Sequence, residues 1–266
     1  MNKQETIRSM KLFLFDLDGT LYLGDRLYPF TPRLLRRIRE TGGHSLYMTN
    51  NSSKSIEDYI LKLKKLGICA DREDFITSAQ ATAWYLQQNH PGKTLYVCGT
   101  ESLKQELREA GFPVTEEPEK AQCIVMGFDT ELTFRKLRDV SWLLSTRDIP
   151  YIATNPDYVC PTEFGSVPDC GSVCDMIYNA TKKRPLVIGK PEPLMPKLAM
   201  KRLGIPPEQA CCIGDRIYTD IRAGLNAGIT TLLVLSGETT REILAASDIK
   251  PHIVLEDAGE ILEALL

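Results

Sequence analysis

Apolar and polar positions change period repeatedly along the chain. Leu12-Phe13-Leu14-Phe15 is a continuous apolar run, which predicts a strand covered on both faces. Thr31-Pro32 then supplies an N-cap residue and a proline at the first helical position. Leu34, Leu35 and Ile38 give that helix an apolar stripe, and Gly42-Gly43 ends it. Residues 45–49 predict the next strand. Ser55-Ile56-Glu57-Asp58 has the form of a capping box with Asp in the acidic position. Ile56, Tyr59, Ile60, Leu63 and Leu66 follow at helical spacing as far as Gly67.

The C-terminal part has the same rhythm. Leu198 and Leu203 lie on a helix stopped by Gly204, and strands are predicted at 210–213, 230–235 and 252–255. Helices are predicted at 219–227, 239–246 and 258–266. The middle alternates too, with strands at 94–98, 123–127 and 151–154 and helices at 79–88, 102–110 and 134–145. Such alternation argues for α/β architecture, a doubly wound parallel sheet with helices on both faces. Residues 155–185 break the rhythm: they are rich in Pro, Gly, Cys and Asp, without a clean period. The expected organisation is a discontinuous first domain, residues 1–77 and 187–266, with a smaller α/β domain, residues 78–186, inserted into it.

The chain has 266 residues, 32 Lys plus Arg against 35 Asp plus Glu, and a net charge of −3. That balance carries no electrostatic footprint for nucleic acid. The apolar runs fall far short of the ~18–20 residues that span a bilayer, and the first ten residues lack the apolar core of a signal peptide. No membrane partner and a cytoplasmic location are the expectation. Eight cysteines show no C-x-x-C spacing and only three histidines exist, so a zinc site is poorly supported. Cys98, Cys123, Cys211 and Cys212 read as small buried hydrophobes. Cys170 and Cys174 lie four apart and read as a helical-turn contact rather than a redox pair.

Four strand-end clusters carry candidate chemistry. Asp16-Leu17-Asp18-Gly19-Thr20 directly follows the first strand, and ligands of open parallel sheets bind beyond the carboxyl ends of strands. Two crowded carboxylates there suit a hard cation, although Asp18-Gly19 also fits a plain turn. Thr49-Asn50-Asn51 offers a hydroxyl and backbone N–H groups to a phosphate oxygen, or simply a helix-entry turn. Gly214-Asp215-Arg216 follows the strand at 210–213, so Asp215 can complete a metal site begun by Asp16. Asp220 falls in a first helical turn, where the macrodipole favours an acid whether or not it touches a metal. Lys190, between an apolar run and a helix starting near Pro193, can hold phosphate and neutralise the acids.

Taken in order, Asp16-x-Asp18-x-Thr20, Thr49, Lys190 and Gly214-Asp215-x-x-x-x-Asp220 resemble the haloacid dehalogenase (HAD) superfamily of phosphohydrolases. The insertion between Thr49 and Lys190 resembles the α/β cap of its NagD-like, p-nitrophenyl phosphatase-like branch, subfamily IIA. Residues 47–52, 153–157 and 188–191 match closely, while Pro168-Asp169-Cys170-Gly171-Ser172 replaces the Pro-Gly-x-Gly turn of many relatives. The resemblance implies an Mg2+-dependent phosphomonoester hydrolase acting on a small phosphorylated metabolite. In it Asp16 is the nucleophile and Asp18 the acid–base. Mg2+ is held by Asp16, the Asp18 carbonyl and Asp215. Thr49, the backbone of Asn50 and Lys190 bind phosphoryl oxygens, and Asp220 acts behind them. The resemblance also allows a homodimer through the cap. Competing readings are dehalogenation, which needs neither Asp18 nor Asp215, a phosphomutase, and a non-catalytic metabolite-binding protein on the same fold. The segment 155–175 is expected to shape the leaving-group pocket, with Tyr158 and Phe164 as packing residues.

Overall fold

The computed structural model describes residues 2–162 and 164–266. The chain divides into two units. One comprises Met1–Thr49, Ile56–Ile76 and Lys190–Leu266, the other Asn50–Ser55 and Thr77–Gly189. The sequence division places residues 50–55, 77 and 187–189 in the first, whereas the structure groups them with the second. Residues 50–55 and 187–189 do so because Ser52 Oγ lies 2.9 Å from Thr154 Oγ1 and Leu186–Val187 pairs with Tyr151–Ala153. Gly189 N–H extends that edge onto the Thr154 carbonyl at 2.8 Å.

The first unit is built on a six-stranded sheet. Its order is Ile253–Leu255, Thr230–Val234, Ala210–Gly214, Leu12–Phe15, His44–Thr49, Phe75–Thr77. The pairings from Ile253–Leu255 to His44–Thr49 are all parallel. Leu12, Phe13, Leu14 and Phe15 are fully buried, as a strand covered on both faces requires. Alternate side chains face opposite ways. Phe13 and Phe15 join Cys211, Ile213, Leu232 and Val234 in one core, closed by Leu34, Ile38, Ile56, Leu63 and Ile261 from the helices. On the other face Leu233 packs with Ile217, Ile221 and Ile249.

The second unit has its own five-stranded parallel sheet. Its order is Leu186–Val187, Tyr151–Ala153, Cys123–Met126, Leu95–Cys98, Val114–Thr115. One face is filled by Tyr96, Ile124, Met126 and Ala153 against Val140, Leu143, Val173 and Ile177.

The irregular reading of residues 155–185 does not hold. An antiparallel hairpin, Val159–Thr162 with Gly165–Pro168, leads into the helix Cys170–Thr181. Asp169 caps that helix and Lys182 ends it at φ 58°. Gly171 hides the period because it serves packing: a Cβ there would sit 2.2 Å from the Pro156 carbonyl oxygen. Tyr158 and Phe164 are not packing residues within the unit; they are 58% and 81% exposed. Two smaller differences have local causes. A helix at Lys3–Ser9 is held by a capping box between Asn2 and Glu5. Thr31 does not cap its own helix but donates its hydroxyl to the Leu21 carbonyl at 2.7 Å. All eight cysteines are free thiols, and Cys170 and Cys174 meet within one helix with Sγ atoms 3.9 Å apart. Among the described residues no helix is long and apolar enough to cross a membrane.

Candidate active site

The first sheet reverses its winding between Leu12–Phe15 and Ala210–Gly214, since the chain moves outward from the central strand in both directions. Ligands of such sheets sit beyond the carboxyl ends at this point. Phe15 pairs with Ile213, and the ladder continues as Asp16 N–H donates to the Ile213 carbonyl at 2.8 Å. Asp16 thus leaves the sheet beside Gly214, and Asp215 follows on the neighbouring strand. A π-helical turn, Ile217–Ile221, brings Asp220 back to the same place. Gly214 makes that return possible: a Cβ there would lie 2.4 Å from the Asp220 carboxylate carbon. Asp16, Asp215 and Asp220 each offer a carboxylate oxygen, all within 4.8 Å of one another.

Lys190 closes the cluster from the segment before the helix Leu194–Leu203. The residue is 3% exposed. It donates to Asp16 Oδ1 and Asp220 Oδ1, each at 2.6 Å, and to the Met48 carbonyl at 3.3 Å. Burial alone would pull Lys190 down. Asp16 and Asp220 outweigh it and hold the ammonium above its ordinary range. Asp220 also accepts the Arg216 N–H at 3.1 Å on Oδ2, so both its oxygens are tied. Burial, with Asp16 adding, pushes Asp220 up to about 6 against the opposing pull of Lys190.

Asp215 differs. Its Oδ2 accepts the Glu238 N–H at 2.6 Å, while Oδ1 is buried without a hydrogen-bond partner. Burial, then Asp16 and Asp220, push this carboxyl up to about 7. An orphaned buried acceptor is costly. A cluster with more carboxylates than ammonium groups suits a hard oxygen-seeking cation. Asp16 and Asp215 therefore fit the donor set of Mg2+, whereas Asp220 is committed to Lys190 and Arg216.

The other predicted residues make separate contacts. Asp18 points outward, 55% exposed, with Lys62 Nζ at 3.9 Å. Desolvation still raises its carboxyl, against the Gly24 N–H and Lys62. Thr49 ends the strand His44–Thr49, beside Met48; its hydroxyl is 3.3 Å from the Tyr59 hydroxyl. Asn50 groups with the second unit, where its amide donates to Asp157 Oδ2 at 2.8 Å and its carbonyl accepts from Ser78 Oγ at 2.7 Å. The structure thus joins Asp16, Lys190, Asp215 and Asp220 directly; the Asn50 side chain is bonded to Asp157, while the role expected of Asn50 rests on its backbone N–H. Sequence reasoning missed Glu238, which acts through its backbone N–H. A peptide donor has no motif, and only the neighbouring strand Thr230–Val234 could have pointed to the loop after it.

Comparison with known proteins identifies the family. A haloacid dehalogenase-like hydrolase model matches residues 13–113, and a second HAD-hydrolase-like model matches residues 187–261. The acid sugar phosphatase of Staphylococcus aureus is 33% identical over 259 residues, 97% of this chain and 99% of that protein. A 4-nitrophenylphosphatase from Thermotoga maritima superposes with a TM-score of 0.94 at 36% identity, covering 98% of this chain and 99% of that one. A glycerol phosphate phosphatase from Mycobacterium tuberculosis, solved in complex with magnesium, gives a TM-score of 0.89 at 29% identity, covering 98% of this chain and 77% of its own. The chain belongs to the haloacid dehalogenase-like hydrolases, as a phosphatase of the NagD and p-nitrophenyl phosphatase branch.

Proposed function

We propose that this phosphatase is an Mg2+-dependent phosphomonoester hydrolase of small phosphorylated metabolites, sugar phosphates among them, and that it works through an aspartyl phosphate on Asp16. One observation carries the reading. Lys190 ties Asp16 to Asp220, while the adjacent Asp215 keeps a buried oxygen without a partner. The complex of a relative with magnesium supports the choice of ion.

Asp16 attacks phosphorus with a carboxylate oxygen, and the bond to the ester oxygen breaks. Lys190 holds the Asp16 rotamer through Oδ1. Asp18, half-exposed and raised above the usual carboxylate range, gives its proton to the leaving alkoxide. Water then attacks the acyl phosphate and passes its proton to Asp18, which frees phosphate and restores Asp16. The Thr49 hydroxyl, the Asn50 N–H and the Lys190 ammonium orient the phosphoryl oxygens, and Asp220 keeps Lys190 in place and charged. Asp16, Asp215 and the Asp18 carbonyl would hold Mg2+, which when bound offsets the negative charge shared by carboxylate and phosphoryl group. Dehalogenation would use neither Asp18 nor Asp215. A mere binding protein would have no need of an attacking carboxylate poised by a lysine.

The test is release of inorganic phosphate from p-nitrophenyl phosphate with and without Mg2+, combined with acid quenching of the enzyme on labelled substrate. Turnover should need Mg2+, and label should sit on Asp16 and be absent from Asp16→Asn. Undiminished turnover by Asp16→Asn, or full activity in chelator, overturns the reading.

A further inference from the structure

We infer that residues 236–239 form a positioning loop for the Asp215 carboxylate, latched to the Asp16 loop by the Ser236 hydroxyl and braced by the Tyr28 hydroxyl, and that this latch sets the affinity for the divalent cation. The inference rests on the proposed cation site and goes beyond it, because neither hydroxyl has a part in the chemistry.

The loop leaves Thr230–Val234, the strand beside Ala210–Gly214. It grips Asp215 at two points: the Glu238 N–H donates to Oδ2 at 2.6 Å, and the Thr239 N–H donates to the Asp215 carbonyl at 3.1 Å. Thr239 Oγ1 in turn accepts the Ile217 N–H at 3.2 Å, fastening the far side of the same turn. Space is as tight as the bonding. A Cβ on Gly237 would lie 2.0 Å from Asp215 Oδ2, and a Cβ on Gly19 would lie 2.5 Å from the same atom. The carboxylate is wedged between two glycines from two different loops, with Oδ2 pinned and Oδ1 left over.

Such a wedge works only if the two loops keep their spacing. Two hydroxyls fix it. Ser236 Oγ donates to the Gly19 carbonyl at 2.7 Å, and Tyr28 Oη donates to the Ser236 carbonyl at 2.8 Å. Gly19 follows Asp18, whose carbonyl is the third expected ligand, so one serine touches the loop that carries two of the donors while its neighbours hold the other. Groups that orient metal ligands typically change affinity by 10–100-fold when removed.

Mg2+ titration calorimetry on the metal-stripped protein tests this directly. Ser236→Ala should raise the Mg2+ Kd by roughly tenfold and Tyr28→Phe by several-fold, whereas Ser236→Thr, which keeps the hydroxyl, stays within about twofold of wild type. The kcat at saturating Mg2+ should fall by less than the affinity does. A purely structural role would lower Tm without this split. Asp215→Asn separates the two levels of the argument. If wild type binds Mg2+, Asp215→Asn does not, and Ser236→Ala and Tyr28→Phe bind as wild type, the latch is wrong and the cation site stands. If wild type binds no Mg2+, or Asp215→Asn binds equally, the cation site falls and the latch with it.

Discussion

Three lysines are buried among the described residues, Lys104 and Lys136 in the second unit and Lys190 in the first. Lys104 reaches the half-exposed Glu116, whereas Lys136 and Lys190 share a buried donor geometry but not an environment. Lys136 donates to Asp129 Oδ2 at 2.8 Å and to the carbonyls of Gly99 and Glu131 at 3.0 and 3.1 Å. Lys190 donates to two carboxylates and one carbonyl, with Asp215 close by as a third acid. Around Lys136 one positive group meets one negative group, and neutral carbonyls complete the shell. Around Lys190 the acids outnumber the ammonium, and one carboxylate oxygen is left bare. A balanced buried pair describes architecture. An unbalanced one, with an orphaned acceptor, describes a place where a cation or a reacting group is expected.

Replacing Lys136 and Lys190 in turn by methionine breaks or sharpens that contrast, and the largest effect is on turnover. Lys190→Met should lower kcat/KM by about 10²–10³, the scale seen when a donor aimed at developing charge is removed. Lys136→Met should leave kcat within about threefold at temperatures where the variant is folded. Steady-state kinetics on p-nitrophenyl phosphate checks both. Equal losses would mean that Lys136 is also part of the chemistry and that charge balance does not separate the two sites.

Stability should show the opposite dependence on partners. Lys136→Met strands Asp129, whose side chain is fully buried, and should cost about 3–5 kcal/mol. The double change Lys136→Met with Asp129→Leu removes the stranded charge and should recover most of that loss. Lys190→Met strands acids too, but these can take up a cation, so Mg2+ should restore much of its Tm. Denaturant titrations with and without Mg2+ decide this. A Lys136→Met variant rescued by Mg2+ would sink the distinction.

Much of the first unit was legible because its signals are local. Leu12–Phe15 announces a doubly covered strand by composition alone, and Asp16, Lys190 and Asp215 each stand at a strand end. What the sequence concealed depends on tertiary partners. The Asp220 carboxylate is tied by Lys190, 30 positions away. The Asp215 carboxylate is held by a backbone N–H 23 positions away. The helix Cys170–Thr181 was hidden by Gly171, which sits where the Pro156 carbonyl approaches too closely for any side chain. Asn50 shows the limit from the other side. It follows Thr49 immediately, yet its amide is claimed by Asp157, 107 positions on. The role expected of it belongs to its backbone N–H, and only the fold shows which unit holds its side chain.

The smallest predicted effect concerns pH, and its sign follows from the unbalanced acids. In metal-stripped protein Asp215 has a folded-state pKa of about 7, above its ordinary value of 3.8, because burial and the neighbouring Asp16 and Asp220 disfavour its charge. Below about pH 4 the carboxyl is protonated in both folded and unfolded chains and contributes nothing. Between the two values the folded chain keeps a proton that the unfolded chain has lost, so stability must fall as pH rises, by at most ~1.4 kcal/mol per unit. Above about 7 the loss is complete and the curve flattens. Mg2+ bound at the cluster offsets the same charge, so its stabilising effect should grow through this window and then level off. Denaturation midpoints of the metal-stripped wild type between pH 4.5 and 8, minus those of Asp215→Asn, remove the titration of groups outside this acidic cluster. The difference should slope downward with pH for wild type. A flat or rising difference would mean that the Asp215 carboxylate is already compensated without a metal, and the contrast between Lys136 and Lys190 would lose its electrostatic basis.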